Sequence, residues 1–274
     1  MGYGDGALPY NVPASEFMTL EGERMSTSAN WAIWLPDIES RYPPDQIRYY
    51  LAANAPEGRD SNWSWSDFIR RNNDDLLGTW GDLAHRLLTI AWRNFGAVPE
   101  PGALCETDRQ LLAMSEGAFG VVGSLIERVR LKAALQETLA IARRANQYLS
   151  EEKPWVLIKT DRSRAATVIY TGLVVVDRLK TLLCPFIPHS SQRLHELLGY
   201  EDVIASAPEI EKMIDPDGRE RLVLSGDYSR INRWEPAAIP IGQTLKSPSP
   251  LFQNLEESVI EEERERLRRQ SQRS

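Results

Sequence analysis

Between Ser66 and Gly96 the apolar residues Leu76, Trp80, Leu83, Leu87 and Ile90 recur at alternating steps of four and three. That spacing lines one face of an α-helix. The whole stretch SDFIRRNNDDLLGTWGDLAHRLLTIAWRNFG is therefore expected to be helical, with Ser66 capping its amino end and Gly96 its carboxyl end. A second row at the same spacing, Asp75, Thr79, Asp82, Arg86, Thr89 and Arg93, is polar along its length and belongs in a groove or in solvent. Further helices are expected from Thr107 to about Arg128, from Leu131 to Leu149, from Arg162 to Leu183 (stopped by CPFIP), and from Ser190 to Leu198 with Gly199 as stop. Together they make a bundle. The closing stretch NLEESVIEEERERLRRQSQRS has acids first and bases last, which matches a helix macrodipole, and its last residues are expected to fray.

Ahead of Ser66 the character differs. Gly, Pro, Asn and aromatic residues dominate, with one short strand expected at EFMTL and one helix at DQIRYYLAAN, entered through Pro43 and Pro44. Tyr200 to Pro250 is rich in Pro and Gly and reads as irregular. The chain thus divides into a small mixed α/β region over 1–65, an α-helical bundle over 66–200, and an irregular segment with a terminal helix over 201–274. The fold class is mainly α.

Composition narrows the function classes. At 42% apolar and 26% charged residues the chain falls in the ordinary globular range. Its longest apolar run, AATVIYTGLVVV, is too short to span a bilayer, so no membrane is expected. The amino-terminal residues lack the basic start and apolar core of a secretory signal, and a cytoplasmic location is expected. Cys105 and Cys184 lie far apart and read as reduced core thiols. His85, His189 and His195 lack ligand spacing and read as structural, so no metal site is expected. A formal net charge of -7 argues against a general nucleic-acid coat, and no DNA partner is expected. A local basic site remains open through Arg70 with Arg71, Arg128 with Arg130 and Lys132, and Arg143 with Arg144.

Three stretches offer chemistry. GYGDG, at Gly2 to Gly6, is followed by ALPYNVP, so no helix amino terminus waits to receive phosphate. Ser150 and Lys153 have a Ser/Lys spacing without any surrounding pocket signature. EGERMSTSANW differs from both. Gly22 in a turn, then Arg24, Ser26, Thr27 and Ser28, bring a cation, hydroxyls and backbone donors together, a set that can hold phosphate. From these residues alone, a solvated Ser/Thr loop is the other reading.

ERMSTS resembles the KMSKS loop of class I aminoacyl-tRNA synthetases. Longer stretches narrow the likeness: LPYNVPASEFMTLEGERMSTSANWAIW, DQIRYYLAANAPEGRDSNWSWSDFIRRNNDDL, GDLAHRLLTIAWRNFG, ANQYLSEEKPWVL and RWEPAAIPIGQTLKSPSPLFQNLEES are similar to methionyl-tRNA synthetase. That family carries its nucleotide-binding fold, with the HIGH motif, ahead of the loop, and nothing similar to it stands in these residues. The resemblance implies a carboxyl-terminal half. Residues 1–65 would be the end of the catalytic region and the stem-contact region, and 66–200 the anticodon-binding domain.

In the family the loop closes over ATP, used with Mg2+ as substrate, while the methionine carboxylate attacks the α-phosphate. Arg24 stands at the first lysine of the motif, Thr27 at the second, and Ser26 and Ser28 at its serines. Thr27 cannot supply the second charge, and Ala29 stands where many relatives carry a base. The family reads the CAU anticodon through an Asn and an Arg one helical turn apart and a Trp after a Pro. The resemblance places Asp82 and Arg86 on the first pair and Trp155 on the last. Read without it, Asp82 and Arg86 are a surface ion pair and Trp155 a core aromatic. The implied partners are tRNA(Met) and the missing amino-terminal catalytic half, without which the chain is expected not to catalyse. The alternatives are a stand-alone tRNA-binding or regulatory paralogue, and a helical scaffold that keeps only the fold.

Overall fold

The computed structural model describes residues 11–205, 209–225 and 234–272. The glycines at Gly2 to Gly6 and the last two residues, on which expectations fell, lie outside them. A short sheet opens the described chain: β1 (Met18–Leu20) runs antiparallel to β2 (Glu23–Arg24) and parallel to β3 (Ser61–Trp63), with Leu20 opposite both Glu23 and Trp63. Between β2 and β3 come α1 (Leu35–Glu39) and α2 (Pro44–Ala53), each with a proline in its first turn, where the missing N–H is no loss. α3 (Trp65–Arg71) follows β3 directly.

These elements share a core of stacked and edge-on aromatics. Tyr42, Tyr50, Trp63, Trp65 and Phe68 lie with ring centroids 4.7 to 5.9 Å apart, among Leu20, Ile38 and Ile47. The demand to bury Trp65 also moves the helix start. The cap is Ser64, whose hydroxyl accepts from the Asp67 amide at 3.2 Å, rather than Ser66.

The helix does continue to Phe95, but not as one regular α-helix. Asn72–Gly81 is a π-helical segment, and α4 (Asp82–Phe95) resumes beyond it, ending at Gly96 in the left-handed conformation, φ 71°. The wider turn has visible causes. The Asn72 and Asn73 amides donate to the Gln253 and Leu255 carbonyls at 3.0 and 2.8 Å, and Thr79 Oγ1 donates to the Asp74 carbonyl five residues back. A side chain at Gly78 or Gly81 would sit 3.0 Å from the carbonyl oxygen of Asn73 or Leu76. Glycine is what lets these carbonyls tilt outward.

The bundle then forms from α5 (Glu106–Glu127), α6 (Leu131–Glu152), α7 (Pro154–Thr160), α8 (Arg162–Leu183) and α9 (Pro188–Leu197). α8 is its axis. Nearly every face of it is buried, and Gly172 admits the Leu87 side chain so closely that an added methyl would lie 2.7 Å from it. The expected stripe enters this core through Leu76, Trp80, Leu83 and Leu87, each at most 1% exposed. A short antiparallel hairpin, β4 (Glu209–Ile214) with β5 (Glu220–Ser225), stands in the stretch expected to be irregular. Its signal was DPDG, where Gly218 takes φ 79° and its amide donates to the Asp215 carbonyl.

α10 (Ser258–Ser271) returns to the start of the chain, placing Leu267 in the aromatic core. The fold is mainly α, with a small mixed sheet and a helical bundle. Among the described residues no helix is long and apolar enough to cross a membrane.

Candidate functional site

The loop after β2 is a tight turn. Ser26 and Trp31 exchange both backbone hydrogen bonds at 2.9 Å, and the Ser26 hydroxyl accepts from the Ala29 amide and lies 3.2 Å from the Ser28 hydroxyl. Gly22 takes φ 86° at the preceding turn, anchored by its amide donating to Asn62 Oδ1 at 2.8 Å. The consequence is a display of donors. Arg24, Thr27 and Ser28 are exposed, and the Thr27 and Ser28 amides have no acceptor among the described residues. Arg24 likewise has no carboxylate within 4 Å there. One cation, open amides and hydroxyls on one turn can hold an anionic ligand.

The second set lies on the bundle. α6 stops at Lys153, φ 49°, and Pro154 starts α7, which holds the next residue, Trp155, 40% exposed at the surface. Across from it, the Arg86 guanidinium of α4 stands 6.0 Å from the indole centroid. Trp155 is thus no core aromatic. Arg86 is oriented by Asn146, whose Oδ1 accepts from it at 2.6 Å while its own amide donates to the Thr79 carbonyl at 2.8 Å. Asp82 lies 3.7 Å from Arg86 and is more than half exposed, so the intrahelical pair is a loose surface one.

The structure thus brings Asp82, Arg86 and Trp155 together, apart from Arg24, Ser26, Thr27 and Ser28, which form the turn. One contact, Asn146, and one further guanidinium, Arg93, were missed. Asn146 sits 60 positions from Arg86 in sequence, and nothing in the chain announced their pairing. Arg93 was on the polar stripe, and is exposed with no ion pair among the described residues. Its signal was the stripe itself: two turns beyond Arg86 and carrying no acid one turn away, it is the freer guanidinium.

The other sequence expectations fare unevenly. Arg70 and Arg71 both bind Asp67, and Arg144 binds Glu151, which neutralises much of those clusters. Cys105 is exposed at the start of α5, not a core thiol, because the turn entering the helix faces solvent. Cys184 is half-buried, and burial pushes its thiol up to about 11. Cys105, Asp108 and Glu152 do converge within 4.8 Å, as metal ligands would. The cation there is Arg164, 2.5 Å from Asp108, 2.9 Å from Glu152 and 3.3 Å from the Cys105 sulfur. His195 is buried between Lys180 at 2.7 Å and Asp202 at 2.9 Å and stacks on Tyr200; burial and the Lys180 charge lower its pKa.

Comparison with known proteins bears on both sets. A family model described as tRNA synthetases class I (M) matches residues 1–88, and one described as the anticodon binding domain of methionyl tRNA ligase matches residues 98–216. The methionine-tRNA ligase of Roseiflexus sp. (strain RS-1) is 57% identical over 268 residues, covering 97% of this chain and 45% of the relative. That of Chloroflexus aurantiacus is 48% identical, covering 95% and 44%. The structure of Mycobacterium tuberculosis methionyl-tRNA synthetase in complex with methionyl-adenylate superposes with a TM-score of 0.71 at 27% identity, over 87% of this chain and 43% of that one. The chain spans less than half the length of the relatives it matches. With both family models falling in order along one chain, and a mainly helical fold to match, the chain belongs to the methionyl-tRNA synthetase family and corresponds to a carboxyl-terminal portion of its members.

Proposed function

We propose that this chain is the carboxyl-terminal part of a methionine-tRNA ligase, which binds tRNA(Met) through its anticodon and contributes its turn at Arg24 to Ser28 to ATP-dependent methionine activation. The observation that carries the reading is the half-exposed indole of Trp155 beside the Arg86 guanidinium on a polar helix stripe. An unpaired base stacks on such a face, and a planar guanidinium meets a base edge or a phosphate. Arg93 extends the same face. Asp82 can accept from the exocyclic amine of a cytosine, where an amide would both donate and accept. Asn146 is a positioning residue for Arg86.

At the turn, Arg24 and the amides of Thr27 and Ser28 meet the phosphates of ATP, whose Mg2+ arrives with the nucleotide. They stabilise negative charge as it moves to the departing pyrophosphate. Thr27 replaces a charge by a hydroxyl, so electrostatic stabilisation from this chain rests on Arg24. By itself the chain binds tRNA and makes no adenylate, the nucleotide-binding half lying in the remaining length of its relatives. The second reading, a tRNA-binding paralogue without ligase activity, is favoured by Thr27, Ala29 and Asp82 together.

The test is a titration of the chain with tRNA(Met) and with an anticodon-altered version at one salt concentration, since phosphate contacts alone would bind both. Equal affinity for the two would sink the anticodon reading. Methionine-dependent ATP–pyrophosphate exchange by the chain alone would overturn the incomplete-site reading. Exchange on joining a nucleotide-binding half separates ligase from paralogue.

A further inference from the structure

The turn that carries Arg24 to Ser28 is gripped by the far end of the chain. Four non-glycine residues among those described have positive φ: Glu21 (51°), Asn30 (49°), Val129 (56°) and Lys153 (49°). Two of them bracket this turn, and α10 holds both. At one end Arg264 Nε donates to Glu21 Oε2 at 2.8 Å, while Glu21 Oε1 accepts from the Trp65 amide at 2.7 Å. At the other, Gln270 Nε2 donates to the Asn30 and Ala32 carbonyls, each at 2.9 Å, and Asn30 Nδ2 donates back to the Gln270 carbonyl at 2.9 Å. Left-handed backbone at residues with a Cβ persists where the surroundings hold it. Six residues of helix, about 9 Å, separate the two grips, enough to span the base of a small hairpin.

The helix does not depend on these grips to dock. Leu267 is 5% exposed in the aromatic core, and Glu263, 4% exposed, accepts from Arg41 at 2.7 and 3.1 Å and from the Tyr42 hydroxyl at 2.9 Å. Beside the Gln270 grip opens a cavity of about 650 Å³, lined by Asn30, Asp37, Glu262 and Arg266 among others. The grip can therefore release into solvent while Leu267 stays packed.

We propose that α10 is a strap that sets the conformation of the phosphate turn, with Gln270 and Arg264 as its positioning residues; the phosphate part of this rests on the reading of the turn given above. Gln270 fixes Asn30 and Ala32 on the return limb. Trp31, between them, carries the backbone pair to Ser26, and that pair leaves the Thr27 and Ser28 amides facing outward. Loss of the grip frees the limb and blurs the display.

The test compares amide hydrogen exchange in the full chain for the parent, Gln270→Glu, which keeps the length but removes the donor, and Gln270→Lys, which restores one. In Gln270→Glu the hydrogen-bonded amides of the turn, those of Ser26, Ala29, Asn30 and Trp31, exchange on the order of 10-fold faster, as expected for two lost hydrogen bonds of ordinary net strength. Those of 262–268 stay at the parent rate, and Gln270→Lys recovers most of the protection. Inorganic pyrophosphate, followed by 31P resonance, binds Gln270→Glu more weakly than the parent, and tRNA affinity does not change. An unchanged turn in Gln270→Glu overturns the strap, as does acceleration shared equally by α10, which would make Gln270 a docking residue only. If the parent itself fails to bind pyrophosphate, the phosphate reading falls, and the exchange comparison still decides the strap.

Discussion

Replacing Trp155 by Ala removes a ring that the fold covers only in part. The indole is 40% exposed, and the Arg86 guanidinium stands 6.0 Å from its centroid, a cation–π contact worth about 0.5–1 kcal/mol at an exposed site. Because part of the apolar ring is covered, thermal or urea unfolding should show a loss of about 1–2 kcal/mol, with the chain still folded. In the complex with tRNA(Met) the same ring would stack one splayed base, worth roughly 1–3 kcal/mol, so affinity should fall about 5- to 150-fold at constant salt. Trp155→Phe, which keeps a π-face, should recover most of it. Because the indole is neutral, the slope of log K against log salt should stay put, whereas Arg93→Ala should lower it by about one contact. A folded Trp155→Ala chain that binds tRNA(Met) as the parent does would refute the stacking argument.

Asp108, fully buried, accepts from both Arg164 nitrogens, from the Tyr148 hydroxyl and from the Cys105 amide. Burial pushes its carboxyl up, but these donors outweigh it and hold it at about 2, below the usual 3.8. Its ionised form thus stabilises the fold above pH 3.8, and that contribution fades as pH falls toward 2. Asp108→Asn should cost about 3–5 kcal/mol in urea unfolding at neutral pH, and the gap to the parent should narrow between pH 4 and 2; a gap constant through that window contradicts the assignment. Gly81→Ala places a methyl 3.0 Å from the Leu76 carbonyl oxygen and 3.2 Å from Phe252, and should lower stability by about 1–3 kcal/mol, checked by denaturant midpoint. Asp82→Asn removes a carboxylate 3.7 Å from Arg86 and should raise tRNA affinity about 2- to 5-fold, given the modest worth of an exposed pair; weaker binding would mean that Asp82 itself reads a base.

Much of the fold was legible because helices announce themselves locally. The expected helix from Arg162 to Leu183 is α8 residue for residue, since Asp161 caps one end through the Arg164 amide and CPFIP cannot continue the other. The turn at Arg24 to Ser28 was legible for the same reason, its glycine, cation and hydroxyls lying close together in sequence. What escaped depends on residues distant along the chain. The π-helical turns at Asn72–Gly81 follow from Asn72 and Asn73 reaching carbonyls some 180 positions away, and no period in the segment itself encodes those partners. Read from its apolar neighbours alone, without the family resemblance, Trp155 is a core aromatic, yet its exposure is set by how α7 lies on α8. Arg86 acquires its direction from Asn146, and the turn its support from Gln270, 240 positions beyond Asn30. Periodicity and capping act over one or two helical turns and are written in consecutive residues; the aim of a side chain is set by whatever the folded chain packs against it, and that is a property of three dimensions.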